Sequence, residues 1–165
     1  MRSPMRCVPI PRSCSLVKML PKLRVHSKLP RDFSLNLDQS EFEIRRSQRW
    51  DSLARLLAQH ADFLGEARCR GRLVLVKHYP GLLLSDASSD VVHGELFRLR
   101  AGDELLRELD MYEACGEGFP EPTEYLRQLV DVTGADGLTA PAWTYVYNWP
   151  VTDLPHIASG RFLDH

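Results

Sequence analysis

Apolar residues fall at helical spacing at Leu53, Leu56, Leu57, Ala61 and Leu64. That stripe predicts a core-facing helix, capped by Asp51 or Ser52 and stopped by a left-handed Gly65. The period then drops to two. Arg70 to Val76 (RGRLVLV) predicts a strand that ends at Lys77-His78-Tyr79-Pro80-Gly81, where Pro and Gly interrupt a ladder, and Leu82 to Leu84 predicts a short second strand. After the polar turn Ala87 to Asp90 comes a third strand, VVHGELFRLR, with Gly94 marking a bulge or a close backbone approach. Asp103 to Tyr112 returns to helical spacing, with Leu105, Leu106, Leu109 and Tyr112 on one side and acidic residues at its start. A Pro/Gly loop, Gly116 to Pro122, separates it from the strand Tyr125 to Thr133. The turn Gly134-Ala135-Asp136-Gly137 then leads into a partner strand, Thr139 to Tyr147, on which Trp143, Tyr145 and Tyr147 share one packing face. Antiparallel strands with two short helices predict an α+β fold or a small barrel-like sheet.

Upstream of Asp51 neither period persists. Pro4, Pro9, Pro11, Pro21 and Pro30 punctuate the first 50 residues, and only Phe33 to Leu37 alternates in the manner of a strand. Residues 1–50 are therefore set apart as a basic, proline-punctuated segment, disordered or atypical, and residues 51–165 as the domain. Charge reinforces the division. Met1 to Arg31 holds eight Lys or Arg and no acid, which leaves 13 basic against 22 acidic residues beyond it, a net charge of −9. An Arg- and Ser-containing, acid-free start also has the look of an organelle transit segment, although its prolines oppose the amphipathic helix such segments need. A length of 165 residues with 44% hydrophobic content suits one domain with a core.

The near-neutral total charge gives no reason to expect nucleic acid or an anionic membrane as partner, and no apolar run reaches the length of a span. Cys7, Cys14, Cys69 and Cys115 show neither Cys-x-x-Cys spacing nor nearby His ligands. Zinc and a disulfide framework are not indicated, and a reduced cytoplasmic protein is the expectation. Serine-hydrolase, P-loop, dinucleotide-binding and zincin motifs are missing from the sequence.

The chemistry that stands out is carboxylate chemistry. Glu113 sits where the second helical pattern ends. There the negative end of the helix, together with burial against Tyr112, disfavours its ionised form and suits it to take and return a proton. Asp110, Glu117, Glu121 and Glu124 compete with it. Asp110 is expected to face water or cap the turn, and the glutamates of the loop region to be solvated. His78 and Tyr79 are further candidates, for the rim of a cleft, the alternative being a turn that serves only to reverse the chain.

From Asp51 onward the chain resembles the gamma-glutamylcyclotransferase-like family. The matching pieces, in order, are the helix ending in ADFLG, RGRLVLV followed by HYPGL, VVHGELFRL, LDMYEA, EYLRQLVDV, AWTYVYNW and the closing IASGRF, and they span about 115 of the 165 residues. The resemblance implies a compact mixed β-barrel-like sheet with flanking short helices, and it matches the family's catalytic glutamate to Glu113. It also implies cyclisation of a γ-glutamyl amine or peptide to 5-oxoproline, with no cofactor or metal, a small-molecule substrate as the partner, and Tyr79, Gly94, Tyr112 and Tyr125 as candidate substrate contacts. One departure stands against it. Family members begin with a strand and a Tyr-Gly-Ser/Thr-Leu-type turn that holds the substrate carboxylate on backbone N–H groups. At the corresponding distance before the Asp51 helix this chain has Phe42-Glu43-Ile44-Arg45-Arg46, without glycine. Arg45 or Arg46 can replace the turn as anion partner. Otherwise the first strand is absent or rebuilt from a segment such as Phe33 to Leu37. The alternatives are an active cyclotransferase, or a non-catalytic relative that binds a small molecule or a protein.

Overall fold

The computed structural model describes residues 53–77, 79–100 and 102–162 and the backbone of residues 15–18. Strands β1 (Ser15–Lys18), β2 (Ala61–Val76), β3 (Tyr79–Leu84), β4 (Val91–Leu99), β5 (Tyr125–Gly134), β6 (Thr139–Tyr147) and β7 (His156–Ile157) form one sheet, with helices α1 (53–60) and α2 (Gly102–Glu113). The ladder runs β3-β2-β4-β1-β6-β5, and β7 adds to β2. Among the described residues the pairings are antiparallel except the parallel contact of β1 with β6, Leu16 opposite Trp143.

The expected α+β class holds, and the barrel is corrected. β5 meets β2 only at Ala67–Gly134 and Arg68–Thr133. Beyond those two pairs the strands splay, so the sheet curls without closing along its length. It nevertheless buries both faces. On one face α1 and α2 bring Leu53, Leu57, Leu105, Leu106 and Leu109 against Val74, Val76, Phe97, Leu99, Tyr125, Tyr145 and Tyr147. On the other, Cys69, Leu73, Leu82, Val92, Val132, Val146 and Ile157 pack together. Trp143, Tyr145 and Tyr147 share the helix-covered face, as their alternation predicts.

The predicted first helix is cut short. It ends at residue 60, and Ala61 to Gly65 open the 16-residue strand β2. Gly65 does not stop a helix: its φ of 128° belongs to a β-bulge, where register with β4 shifts between Phe63 and Gly65 and Leu64 becomes the extra residue. The bulge switches the face on which side chains fall. Ala61 packs under the helices, whereas Ala67, Cys69 and Leu73 point into the opposite cluster. Pairing with β4 and the stacking of Phe63 on Phe97, 5.5 Å between ring centroids, outweigh the helical pattern of this stretch. Tyr79-Pro80-Gly81 likewise opens β3, opposite Val76, Leu75 and Val74, and is not a simple chain reversal.

Ser15–Lys18, within the proline-punctuated first 50 residues, also joins the sheet. β1 lies in its centre, between β4 and β6, with Lys18 opposite Glu95. Phe33 to Leu37, Arg45, Arg46 and His78 lie outside the described residues. No helix among the described residues is long and apolar enough to cross a membrane, and none of their His, Cys, Asp and Glu side chains group as metal ligands.

Candidate active site at the end of helix α2

Helix α2 buries one stripe, Leu105, Leu106 and Leu109, each 2% exposed or less, and this packing sets how its last turn meets the sheet. Fully burying such a side chain contributes roughly 1.5–3 kcal/mol. Asp110 and Glu113 continue the stripe at i+4 and i+7 from Leu106, so both carboxylates are carried to the packed side of the helix. Glu113 is half-buried, with Oε1 away from solvent. The helix stops immediately after it. Ala114 takes φ of 50°, its N–H donating to Met111 O (3.3 Å), and the Cys115 N–H donates to Asp110 O (3.0 Å). An alanine at this left-handed position costs more than glycine would. Ala114→Gly is therefore expected to stabilise the protein by about 0.5–1 kcal/mol, read as a rise in the urea midpoint.

No basic residue stands in the last turn of α2. The compensating charge comes from the sheet. Asp110 Oδ2 pairs with Arg127 Nη1 of β5 at 3.3 Å, and Oδ1 accepts hydrogen bonds from the Tyr145 hydroxyl of β6 at 2.9 Å and the Cys115 thiol at 3.6 Å. Arg127 in turn lies over the Trp143 ring, 4.9 Å from its centroid. Burial first, and then the Asp110 charge, push the Tyr145 hydroxyl well above the usual tyrosine range, so it stays a donor at any ordinary pH. The expected water-facing Asp110 is thus corrected: it is the hub of this network. The local sequence does carry part of that signal, since Asp110 falls on the Leu106/Leu109 stripe and Tyr145 on the packed face of β6.

The other candidates gather elsewhere on the same face. Tyr79 donates its hydroxyl to Glu124 Oε1 at 2.6 Å, and Tyr125 donates to Pro80 O at 2.9 Å while meeting Tyr147 edge-on at 5.6 Å. Burial, then the Glu124 charge, raise the Tyr125 hydroxyl beyond its ordinary value. Glu124 is consequently a hydrogen-bonded, half-buried carboxylate, unlike the exposed Glu117 and Glu121. The residues after β6 hold the end of the loop. Asn148 Nδ2 donates to Thr123 O and Trp149 Nε1 to Pro122 O, both at 2.8 Å. Tyr112 packs on the core next to Glu113, and Gly94 lies in β4 opposite Ala67. The structure therefore brings Tyr79 and Tyr125 together around Glu124 and Pro80, sets Tyr112 beside Glu113, and leaves Gly94 in mid-strand. A cleft of about 690 Å³, where β2 and β5 splay, is lined by Arg68, Arg70, Asp86 and Asp131 among others and by none of these candidates.

Residues 46–164 match the sequence profile of the family described as gamma-glutamyl cyclotransferase, AIG2-like. The chain belongs to that family. It is 36% identical over 93 residues to the gamma-glutamylcyclotransferase family protein YtfP of Escherichia coli K12, covering 56% of this chain and 68% of that protein, and equally to its Citrobacter rodentium counterpart. Among solved structures, an AIG2-like protein from Mus musculus superposes with a TM-score of 0.55 at 18% identity, covering 88% of this chain and 86% of that one. YkqA from Bacillus subtilis gives 0.54 at 20% identity, with 90% of this chain matched to 39% of the other. These two likenesses establish the cyclotransferase-like fold. They extend the match beyond the 93 residues of sequence similarity and agree with an α+β sheet carrying two helices.

Proposed function

We propose that the protein is a γ-glutamyl cyclotransferase in which Glu113 carries the proton. The substrate's α-amino nitrogen attacks its own γ-carbonyl, forming the ring C–N bond of 5-oxoproline. The bond to the leaving nitrogen then breaks and an amine or amino acid departs. Glu113 takes a proton from the α-ammonium group, which frees the nitrogen lone pair for attack, and delivers it to the leaving nitrogen; the second proton shed by the ring nitrogen on closure follows the same route, so two N–H bonds break, two form and the amine departs as its ammonium ion. The observation that carries this reading is the placement of Glu113: a half-buried carboxylate at the terminus of a well-packed helix, within the segment that matches the family. Ring closure asks little more of the protein. Nucleophile and electrophile belong to one molecule, and well-oriented intramolecular reactions reach effective molarities on the order of 10⁵–10⁸ M. Tyr79, Gly94, Tyr112 and Tyr125 are the substrate contacts in this proposal, and the reaction belongs in the cytoplasm, where Cys69 and Cys115 remain thiols.

A second reading, a non-catalytic member of the family, is favoured by one feature. The chain leaving β1 continues Met19-Leu20-Pro21-Lys22 and offers no glycine for a carboxylate-binding turn. Incubation of the purified protein with a panel of γ-glutamyl amino acids and amines, assayed for 5-oxoproline, separates the two. Product above the level of a Glu113→Gln control supports the enzyme. No product from any of them supports the binding module.

A further inference from the structure

Asp110 is a heavily engaged carboxylate of α2, and the proton-transfer step has no use for it. Its three side-chain partners come from three places: Arg127 on β5, Tyr145 on β6 and Cys115 just past the helix end. Its main-chain carbonyl also takes the Cys115 N–H. These contacts tie the last turn of α2 to adjacent strands of the sheet and fix where the helix stops. Glu113 lies one turn on, at i+3, a spacing that makes the two side chains neighbours on the helix surface. The electrostatics agree with this division of labour. Two carboxylates at the negative end of a helix with no basic residue in its last turn repel the dipole and each other, and Arg127, steadied over Trp143, balances one of them.

We infer that Asp110 is a positioning residue: clamped by Arg127, Tyr145 and Cys115, it sets the place of the Glu113 carboxylate relative to the β5–β6 floor. The inference rests on the cyclotransferase reading for its activity consequence and on geometry alone for the placement of Glu113. Misplacing a reacting group by about 1 Å can cost on the order of 10²-fold in rate. Loss of the clamp therefore acts on kcat more than on KM.

The test compares Asp110→Asn and Tyr145→Phe with Val132→Ala, a destabilising change in the other core cluster, remote from α2. The carboxyl ¹³C resonance of Glu113, assigned by its disappearance in Glu113→Gln, is followed at one fixed pH beside steady-state 5-oxoproline formation. The expected result is a shifted Glu113 resonance and a kcat lowered about 10-fold or more in Asp110→Asn, with KM within about 2-fold. Tyr145→Phe gives a smaller effect in the same direction, and Val132→Ala leaves the resonance in place. Tyr145→Phe removes a single hydroxyl and carries the test if Asp110→Asn does not fold. An unmoved Glu113 resonance, or an equal loss of kcat in Val132→Ala at matched stability, overturns the inference. A wild-type protein inactive on every γ-glutamyl compound sinks the proposed function, while the resonance still decides whether Asp110 places Glu113.

Discussion

Glu113→Gln is expected to lower the rate of 5-oxoproline formation by about 10²–10⁴-fold, the range that one positioned acid/base supplies. Glutamine keeps the size and shape of the side chain and most of its hydrogen-bonding capacity but cannot take a proton. The fold and the packing of Leu105, Leu106 and Leu109 should therefore persist. Substrate affinity changes little, because the lost interaction is one that strengthens only as the proton moves. Residual activity is expected to survive from orientation of the substrate. Initial rates, normalised to folded protein by circular dichroism, check this. A rate within about 2-fold of wild type moves proton transfer to another carboxylate, and Glu124, held by Tyr79, becomes the next candidate.

Gly160→Ala is expected to destabilise the protein by about 3 kcal/mol or more. Gly160 adopts φ of 61°, and a β-carbon there would run into the carbonyl oxygen of Val91. The backbone cannot easily yield, because both of its polar groups are engaged. The Gly160 N–H donates to Ile157 O at 3.0 Å, and its carbonyl accepts the His93 N–H at 2.9 Å. Ile157, 3% exposed, pairs with Leu73 and seals the second core cluster. The closing Ile157-Ala158-Ser159-Gly160 segment thus fastens the chain end onto β4 beside Gly94, and alanine would lift it. Urea unfolding measures the loss. An unchanged midpoint would contradict the described turn.

Much of this architecture is legible in the sequence where the signal is local. β4, β5, β6 and α2 follow from alternation, from the Gly134–Gly137 turn and from the Leu105/Leu106/Leu109 spacing, because each pattern reports a face that is buried in place. The misreadings come where distant partners decide. Leu53 to Leu64 satisfies a helical stripe, yet its second half pairs with β4, and a bulge at Gly65 absorbs the mismatch. β1 is four residues among prolines and owes its existence to strands on both sides. Helix end and glutamate were readable together at Glu113. The Asp110 network is legible only in part: its place on the Leu106/Leu109 stripe is in the sequence, but the partners Tyr145 and Arg127 arrive from distant strands.

The identity of the product decides whether the ring closes. A γ-glutamyl amino acid labelled with ¹³C in its glutamyl part, incubated with the wild-type protein and followed by NMR, is predicted to give 5-oxoproline and free amino acid in equal amounts, with no glutamate. Labelled glutamate in place of 5-oxoproline would show that water attacks the γ-carbonyl and not the substrate's own amine, and would rule out ring closure.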